Sequence, residues 1–115
     1  MKAKKFKSYT PAGFGISPSG RLMVPLGASH DNFKDEVTNI YGQPWASIGQ
    51  YVLNAPHTGI INKKSPDIGI ITNQIDLTGR SLFEYIKPDG TSSSDWAEWL
   101  FVLTPEQYQE LAHFS

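Results

Sequence analysis

The chain has 115 residues, with 39% hydrophobic and 12% aromatic side chains, no cysteine and a formal net charge of −1. This length suits a single domain, and the composition excludes a disordered chain, a disulfide scaffold and a cysteine-ligated metal site. No apolar run approaches the roughly 20 residues that span a bilayer, and the first residues lack the apolar core of a secretory signal. We therefore expect a soluble, cytoplasmic protein with one compact domain over residues 1–115.

The net charge conceals an uneven distribution of charge along the chain. Residues 1–28 hold five basic side chains and no acid, whereas residues 88–115 hold five acids and neither Lys nor Arg. We expect the fold to bring the two ends together so that they neutralise each other. The alternative is a flexible basic arm over residues 1–9, where lysines alternate with Phe6 and Tyr9 as in a modest nucleic-acid contact. The sequence pI of about 6.3 makes nucleic acid the less favoured partner.

The chain begins with a predicted hairpin. Turn residues at 17–20 separate extended segments at 12–16 and 21–26. Pro25 has no N–H to donate to a neighbouring strand. We therefore expect the second segment either to lie at a sheet edge or to end at Pro25. A sheet edge of this kind is open to a second strand.

Residues 29–41 carry the strongest helical pattern in the sequence. Ser29 is a suitable N-cap, and a glycine follows the last predicted turn. Phe33, Val37 and Ile40 form an apolar stripe at helical spacing. The pattern predicts a central helix.

The middle of the chain predicts short strands. Residues 43–53 fit either a short helix or a strand. Two β-branched runs at 59–62 and 69–72 flank a polar linker and predict a hairpin. A strand at 82–86 leads into the turn sequence Pro88-Asp89-Gly90, in which proline sets φ and glycine tolerates positive φ.

The last quarter predicts a loop, a buried strand and a helix. Residues 91–94 are expected to form the loop, and the aromatic and branched segment Trp96–Leu103 the best-buried strand. Thr104, with Gln107 three residues later and a proline at the first helical position, predicts a capping box that opens a helix to about His113. Three residues of this helix are expected to face inward: Tyr108, Leu111 and Ala112.

Together these elements predict an α+β fold. We expect a single domain with a mainly antiparallel sheet of about six short strands, one central helix and one carboxy-terminal helix.

Histidines are the candidate catalytic residues. His57 lies in a tight loop before a strand, and His30 lies at the start of the predicted central helix. If the fold brings them together with Arg80, they suit metal-independent cleavage of RNA, with one histidine as base, the other as acid and the cation on the phosphate. No spacing requires that meeting, so surface histidines are favoured. Because no metal-ligand or phosphate-loop spacing occurs, we expect no metal and no cofactor.

Aromatic and acidic residues in the last third predict a protein-binding surface. With Trp96 and Trp99 the chain has more aromatic surface than so small a core readily buries, and tryptophan anchors many interfaces. Nearby acids would form a rim for a partner with a basic surface. Lys63 and Lys64, at a predicted hairpin tip, form a second patch. The predicted partner-binding residues of the first patch are Asp89, Asp95, Trp96, Glu98 and Trp99.

These observations favour a small non-enzymatic protein-binding module. By analogy of size and composition, it would act as an inhibitor of the immunity or anti-defence kind found in bacteria and phages. One alternative is a small ribonuclease or toxin-like enzyme that uses His57, His30 and Arg80. Another is a structural or assembly subunit, such as a phage particle protein, that self-associates through edge strands.

Overall fold

The computed structural model of the chain describes residues 6–25, 38–55 and 58–113. These residues form two antiparallel sheets, a 3₁₀ turn at Ala97–Trp99 and one α-helix. The strands and the helix are β1 (Ser8–Tyr9), β2 (Gly15–Ile16), β3 (Leu22–Met23), β4 (Tyr51–Leu53), β5 (Ile60–Ile61), β6 (Ile68–Leu77), β7 (Arg80–Ile86), β8 (Ser92–Trp96), β9 (Phe101–Leu103) and α1 (Pro105–Ala112).

The larger sheet has five strands in the order β8-β7-β6-β4-β9 and curls strongly. Its two edge strands would lie roughly 19 Å apart in a flat sheet, since neighbouring strands are spaced about 4.8 Å apart. Here the short segment 97–100, which includes the 3₁₀ turn, joins them directly. Asn54, which follows β4, also donates through Nδ2 to Asp95 Oδ2 on β8 at 2.9 Å. The sheet therefore has a concave inner face and a convex outer face.

Alternation along β7 decides which side chains fill the inner face. Phe83 and Tyr85 are 1% and 0% exposed and point inward, beside Val52 of β4 and Ile71 of β6. Gly69 allows this packing, because a Cβ there would lie 2.5 Å from a ring carbon of Tyr85. The buried members of this inner core are Ala46, Val52, Ile71, Phe83, Tyr85, Ala97 and Leu100.

A second core lies between the two sheets. The smaller sheet has the order β1-β2-β3-β5, and α1 packs against the β4, β6 and β9 part of the larger one. The buried members of this intersheet core are Phe14, Leu22, Val24, Ile40, Tyr41, Leu53, Ala55, Ile61, Ile68, Leu103 and Leu111. None of the buried members of the intersheet core comes from β7 or β8.

The predicted fold class is wrong. The described residues are mostly β, in two sheets of four and five strands with one short helix, and do not form a single six-stranded sheet with a central helix. Residues 29–37 of that predicted helix lie outside the described residues. Residues 38–42 form a turn, in which Thr38 pairs with Pro44 and Asn39 N donates to Gln43 O at 2.8 Å. Ile40 and Tyr41 are buried because this turn enters the intersheet core, and the described residues 38–42 are not helical.

Three other predictions, a hairpin, a loop and a strand, are also wrong. The runs at 59–62 and 69–72 do not pair with each other, since β5 pairs with β3 while β6 pairs with β4 and β7. The predicted loop at 91–94 falls largely within β8. The predicted strand Trp96–Leu103 is split by the 3₁₀ turn, and β9 is a partly buried edge strand.

Three local predictions are confirmed. β2 and β3 pair antiparallel across the turn at 17–20, although β3 lies inside its sheet between β2 and β5. The turn before β8 closes with Lys87 N donating to Thr91 O at 2.8 Å and with Gly90 at φ +90°. Thr104 and Gln107 form the reciprocal capping box of α1. Within the described ranges, none of the helical segments has the length and hydropathy needed to span a bilayer.

The two ends of the described chain do meet, through a hydrogen bond. Thr10 Oγ1 donates to Glu110 Oε1 of α1 at 2.7 Å. The two ion pairs found among the described residues, Arg80–Glu98 and Lys87–Asp67, both lie in the second half of the chain. Lys7 to Tyr9 are held against β2, since Lys7 N donates to Ile16 O and β1 pairs with β2.

Candidate functional site

The outer face of β6, β7 and β8 carries a row of three apolar side chains. The register places Ile75, Leu82 and Trp96 directly opposite one another across the three strands. All three are half-buried, and none belongs to either core. Apolar residues paired across strands usually stabilise a sheet by packing under a second layer. We call Ile75, Leu82 and Trp96 the outer row.

A fixed cation borders the outer row. The guanidinium carbon of Arg80 lies 3.8 Å from the centre of the Trp96 ring. Its Nη2 also donates to Glu98 Oε2 at 2.8 Å, and the Glu98 side chain is only 11% exposed. Stacking and pairing together hold the guanidinium over one face of the indole. Arg80 therefore shapes the border of the row and is already partnered by a carboxylate.

Exposed aliphatic side chains extend the same face. Leu77, opposite Arg80 in the register, is 50% exposed, and Ile86 is 38% exposed. Both lie on the outer side of the sheet with Leu82, because alternate residues of a strand share a face. Single exposed apolar residues are normal, but a contiguous group on one face indicates an interaction surface.

The opposite, inner face ends in a polar cluster. Tyr85 Oη donates to Asp67 Oδ1 at 2.9 Å, and Asn54 Nδ2 lies 3.3 Å from the same hydroxyl. Lys87 Nζ pairs with Asp67 at 3.4 Å. Burial raises the pKa of Tyr85 to about 12, although hydrogen bonds from Ser93 and Asn54 act in the opposite direction. The tyrosine therefore stays protonated at neutral pH and holds the cluster together.

The structure separates the residues predicted to bind a partner. Trp96 and Glu98 meet at Arg80. Asp95 points to the inner face, where it accepts from Asn54. Trp99 packs against the intersheet core and is half-buried. The predicted acidic rim is thus divided between two faces of the sheet.

The remaining predicted residues lie near one another at the other end of the sheet. Lys63 and Lys64 are exposed in the bend between β5 and β6. Lys64 and Asp89 line one shallow pocket of about 200 Å³ together with Lys87. Asp89 accepts from the Thr91 N–H and hydroxyl, which holds its pKa below the usual value. Lys64 of the second predicted patch and Asp89 of the first therefore line the same pocket.

The described residues do not test the hypothesis that histidines cleave RNA. His30 and His57 lie outside the described ranges. His113 is exposed at the end of α1, with Nδ1 2.7 Å from Gln109 O. Across the described ranges, no group of three or more His, Asp or Glu side chains could hold a metal ion.

One pattern in the sequence points to the outer row. In β7, Leu82 and Ile86 alternate with the inward residues Phe83 and Tyr85, so the strand is apolar on both faces. Such a strand needs cover on both faces. The inner core supplies cover on one side, which leaves Leu82, Ile86 and their neighbours Ile75 and Leu77 as the candidate site.

Comparisons with protein-family models, curated proteins and solved structures found no match to this chain. The candidate site therefore depends on the physical features of the outer face alone.

Proposed function

We propose that the protein is a non-enzymatic binding module that docks on another protein through its outer row. The observation that supports this is the position of Ile75, Leu82 and Trp96, which align on one face and belong to neither core. A partner that covered them would remove apolar surface from water at roughly 25 cal/mol per Å². The indole of Trp96, at the β8 end of the row, is a favourable anchor for such a partner.

The surroundings of the outer row support a partner that is apolar at its centre and polar at its rim. Arg80 and Glu98 neutralise each other, and Asn73 donates to Glu84 Oε1 at 3.0 Å on the same face. On this face the charges of Arg80 and Glu98 cancel, and the carboxylate of Glu84 already accepts a hydrogen bond. Such a rim excludes water around an apolar centre and selects by shape.

The same contacts argue against Arg80 as a phosphate-binding residue of a ribonuclease. A guanidinium that is stacked on Trp96 and bonded to Glu98 would have to leave both to reach a substrate phosphate. Breaking the pair would leave the carboxylate of Glu98 without its partner in a nearly buried position, which is costly. We propose the inhibitor role of the immunity or anti-defence kind as one form of this docking function.

The test is affinity capture of the tagged protein from its native lysate, with nuclease treatment in parallel. The comparison uses the wild type and a Leu77→Glu/Ile86→Lys variant, which places charges at two exposed positions flanking the outer row. We expect a stoichiometric protein partner that survives nuclease treatment, and we expect the variant to lose it while its melting temperature stays within about 2 °C.

A matched control uses an exposed apolar residue elsewhere. Ile48 is 63% exposed in the turn before β4, outside the outer face. The Ile48→Glu variant should capture the partner as the wild type does. Equal capture by Leu77→Glu/Ile86→Lys would contradict the proposed surface, and recovery of nucleic acid alone would contradict the function.

A further inference from the structure

The edge strand β8 has backbone groups at its centre that pair with none of the described residues. Lys87 N donates to Thr91 O, so residues 91, 93 and 95 bond inward to β7. In an antiparallel pair the bonding direction alternates, so Ser92, Ser94 and Trp96 direct their N–H and C=O groups away from β7. Trp96 N donates to Asp95 Oδ1 at 2.7 Å, which satisfies the last outward donor. We call Ser92 to Ser94 the open edge.

Some other outward groups of this sheet are satisfied by side chains. On β9, Gln43 Oε1 accepts from Val102 N at 2.8 Å, and Gln43 Nε2 donates to Val102 O at 3.0 Å. On the part of β6 that extends beyond β4, Asn73 Oδ1 accepts from Gln74 N at 3.0 Å. No described side chain or backbone group closes the outward side of Ser92 and Ser94 in this way.

The open edge also lacks the features with which proteins prevent edge pairing. Natural edges carry Lys, Pro or a bulge for this purpose. β8 reads Ser-Ser-Ser-Asp-Trp and pairs with β7 in uninterrupted register from Ser92 to Trp96. Both outward-bonding serines are exposed. Along Ser92 to Ser94 the described part of the chain therefore places neither a charged side chain nor a proline in the way of a second strand.

We propose that two copies of the chain pair antiparallel through this open edge. The two-fold axis would pass through Ser93, so that Ser92 of each copy exchanges both backbone hydrogen bonds with the other copy's Ser94. Asp95 would lie opposite Thr91 of the other copy, so no like charges would face each other across the pair. This absence of repulsion favours self-pairing. The proposal uses backbone groups of β8 and does not depend on the outer row.

The pairing would join two five-stranded sheets into one. Because the axis of an antiparallel strand pair is perpendicular to the sheet, both outer faces lie on the same side. The two outer rows would then be presented together, and a partner with two copies of its own site would gain avidity.

The test measures the mass of the wild type, Ser94→Pro and Ser94→Ala by light scattering after size-exclusion chromatography over a range of concentrations. Ser94→Pro removes an outward N–H and leaves the β7 ladder intact, whereas Ser94→Ala keeps that N–H. We expect dimers for the wild type and Ser94→Ala, and dimerisation weaker by at least about tenfold for Ser94→Pro, since two symmetric hydrogen bonds are lost. A wild type that stays monomeric at millimolar concentration would overturn the proposal, as would an unchanged Ser94→Pro dimer.

Disulfide trapping provides a second test if Ser94→Pro does not fold. The chain has no cysteine, so one introduced thiol can react only with its counterpart in another copy. Ser93→Cys would place two thiols opposite each other at the axis, whereas Ser92→Cys would place them on a diagonal. We expect rapid covalent dimer formation for Ser93→Cys and at least about tenfold slower formation for Ser92→Cys. Equal rates would overturn the proposed register.

Discussion

The two edges of the five-stranded sheet are built differently although one short segment joins them. β9 is closed by side-chain amides, since Gln43 bonds both backbone groups of Val102 and Asn39 Nδ2 donates to Leu100 O at 2.8 Å. β8 has no such closure among the described residues, except where Asp95 satisfies Trp96 N. Closure of an edge therefore depends on particular side chains and not on the strand itself. We expect mutations at the closed edge to affect stability and mutations at the open edge to affect association.

Asn39→Ala is expected to have the largest effect on stability. Asn39 is 3% exposed, and its Oδ1 accepts from the N–H groups of Tyr41 and Gln43 while its Nδ2 donates to Leu100 O. Removing the side chain leaves several buried groups unsatisfied, so the free energy of unfolding should fall by about 3 kcal/mol in urea titrations. The exposed Asn62 serves as the control, and Asn62→Ala should change it by less than about 0.5 kcal/mol. Equal losses in the two variants would show that the closed edge does not depend on Asn39.

Gln43→Ala removes the closure of β9 directly. Both backbone groups of Val102 lose their partners, and we expect the free energy of unfolding to fall by about 2 kcal/mol. Amide hydrogen exchange should locate the effect, with faster exchange at Val102 than at Val52, which lies inside the sheet. The exposed Gln109 in α1 provides a matched control, and Gln109→Ala should leave Val102 protected. Unchanged exchange in Gln43→Ala would mean that water or another group closes this edge.

Tyr41→Phe is expected to stabilise the protein. The Tyr41 hydroxyl is buried in the turn beside β9, and none of the described residues forms a hydrogen bond with it. Removing the hydroxyl removes the cost of burying a polar group without a hydrogen bond. The free energy of unfolding should therefore rise by about 1 kcal/mol at pH 7. A loss of similar size would instead indicate that the hydroxyl has a partner, such as a buried water.

The same tyrosine predicts how stability depends on pH. Burial, and secondarily the negative charge of Asp95, raises the pKa of Tyr41 to about 12 from an ordinary value of 10, and Tyr85 is raised similarly. A raised pKa means that the folded state holds the proton more tightly than the unfolded state, so stability is full below pH 10 and is lost as pH rises towards 12. Urea titrations between pH 8 and 11 should show this decline, and it should be shallower in Tyr41→Phe. Parallel curves for the two proteins would contradict the assignment.

Local signals in the sequence predicted local structure correctly. The Thr104 capping box and the turn at Gly90 depend on residues within four positions of each other, and both form as expected. Ile40, by contrast, was assigned to a helix because its burial produces the same spacing as an amphipathic stripe. What buries it is the intersheet core, which includes Leu103 from the far end of the chain. Spacing alone cannot distinguish these two causes.

The candidate site was predictable only in part for a related reason. Trp96 was identified from its type, which is common at interfaces. Its neighbours in the outer row, Ile75 and Leu82, become neighbours only through the register of three strands. The open edge depends in addition on the bonding direction of Ser92 and Ser94, which the sequence does not show without the position of the preceding turn.

Ser92→Lys is expected to have the smallest effect on stability, and it makes the comparison of the two edges sharpest. Ser92 is exposed, its backbone groups point away from β7, and it lies opposite Ile86, so a lysine there meets neither a like charge nor a buried group. The free energy of unfolding, measured at micromolar concentration, should change by less than about 0.5 kcal/mol. Lysine on an edge discourages pairing with another strand, so self-association should weaken in the same variant. Gln43→Lys on the closed edge should show the reverse, a loss of about 2 kcal/mol because the amide closure is gone, with association unchanged. If Ser92→Lys were as destabilising as Gln43→Lys, β8 would have to be covered within the monomer, and the distinction between an open and a closed edge would fail.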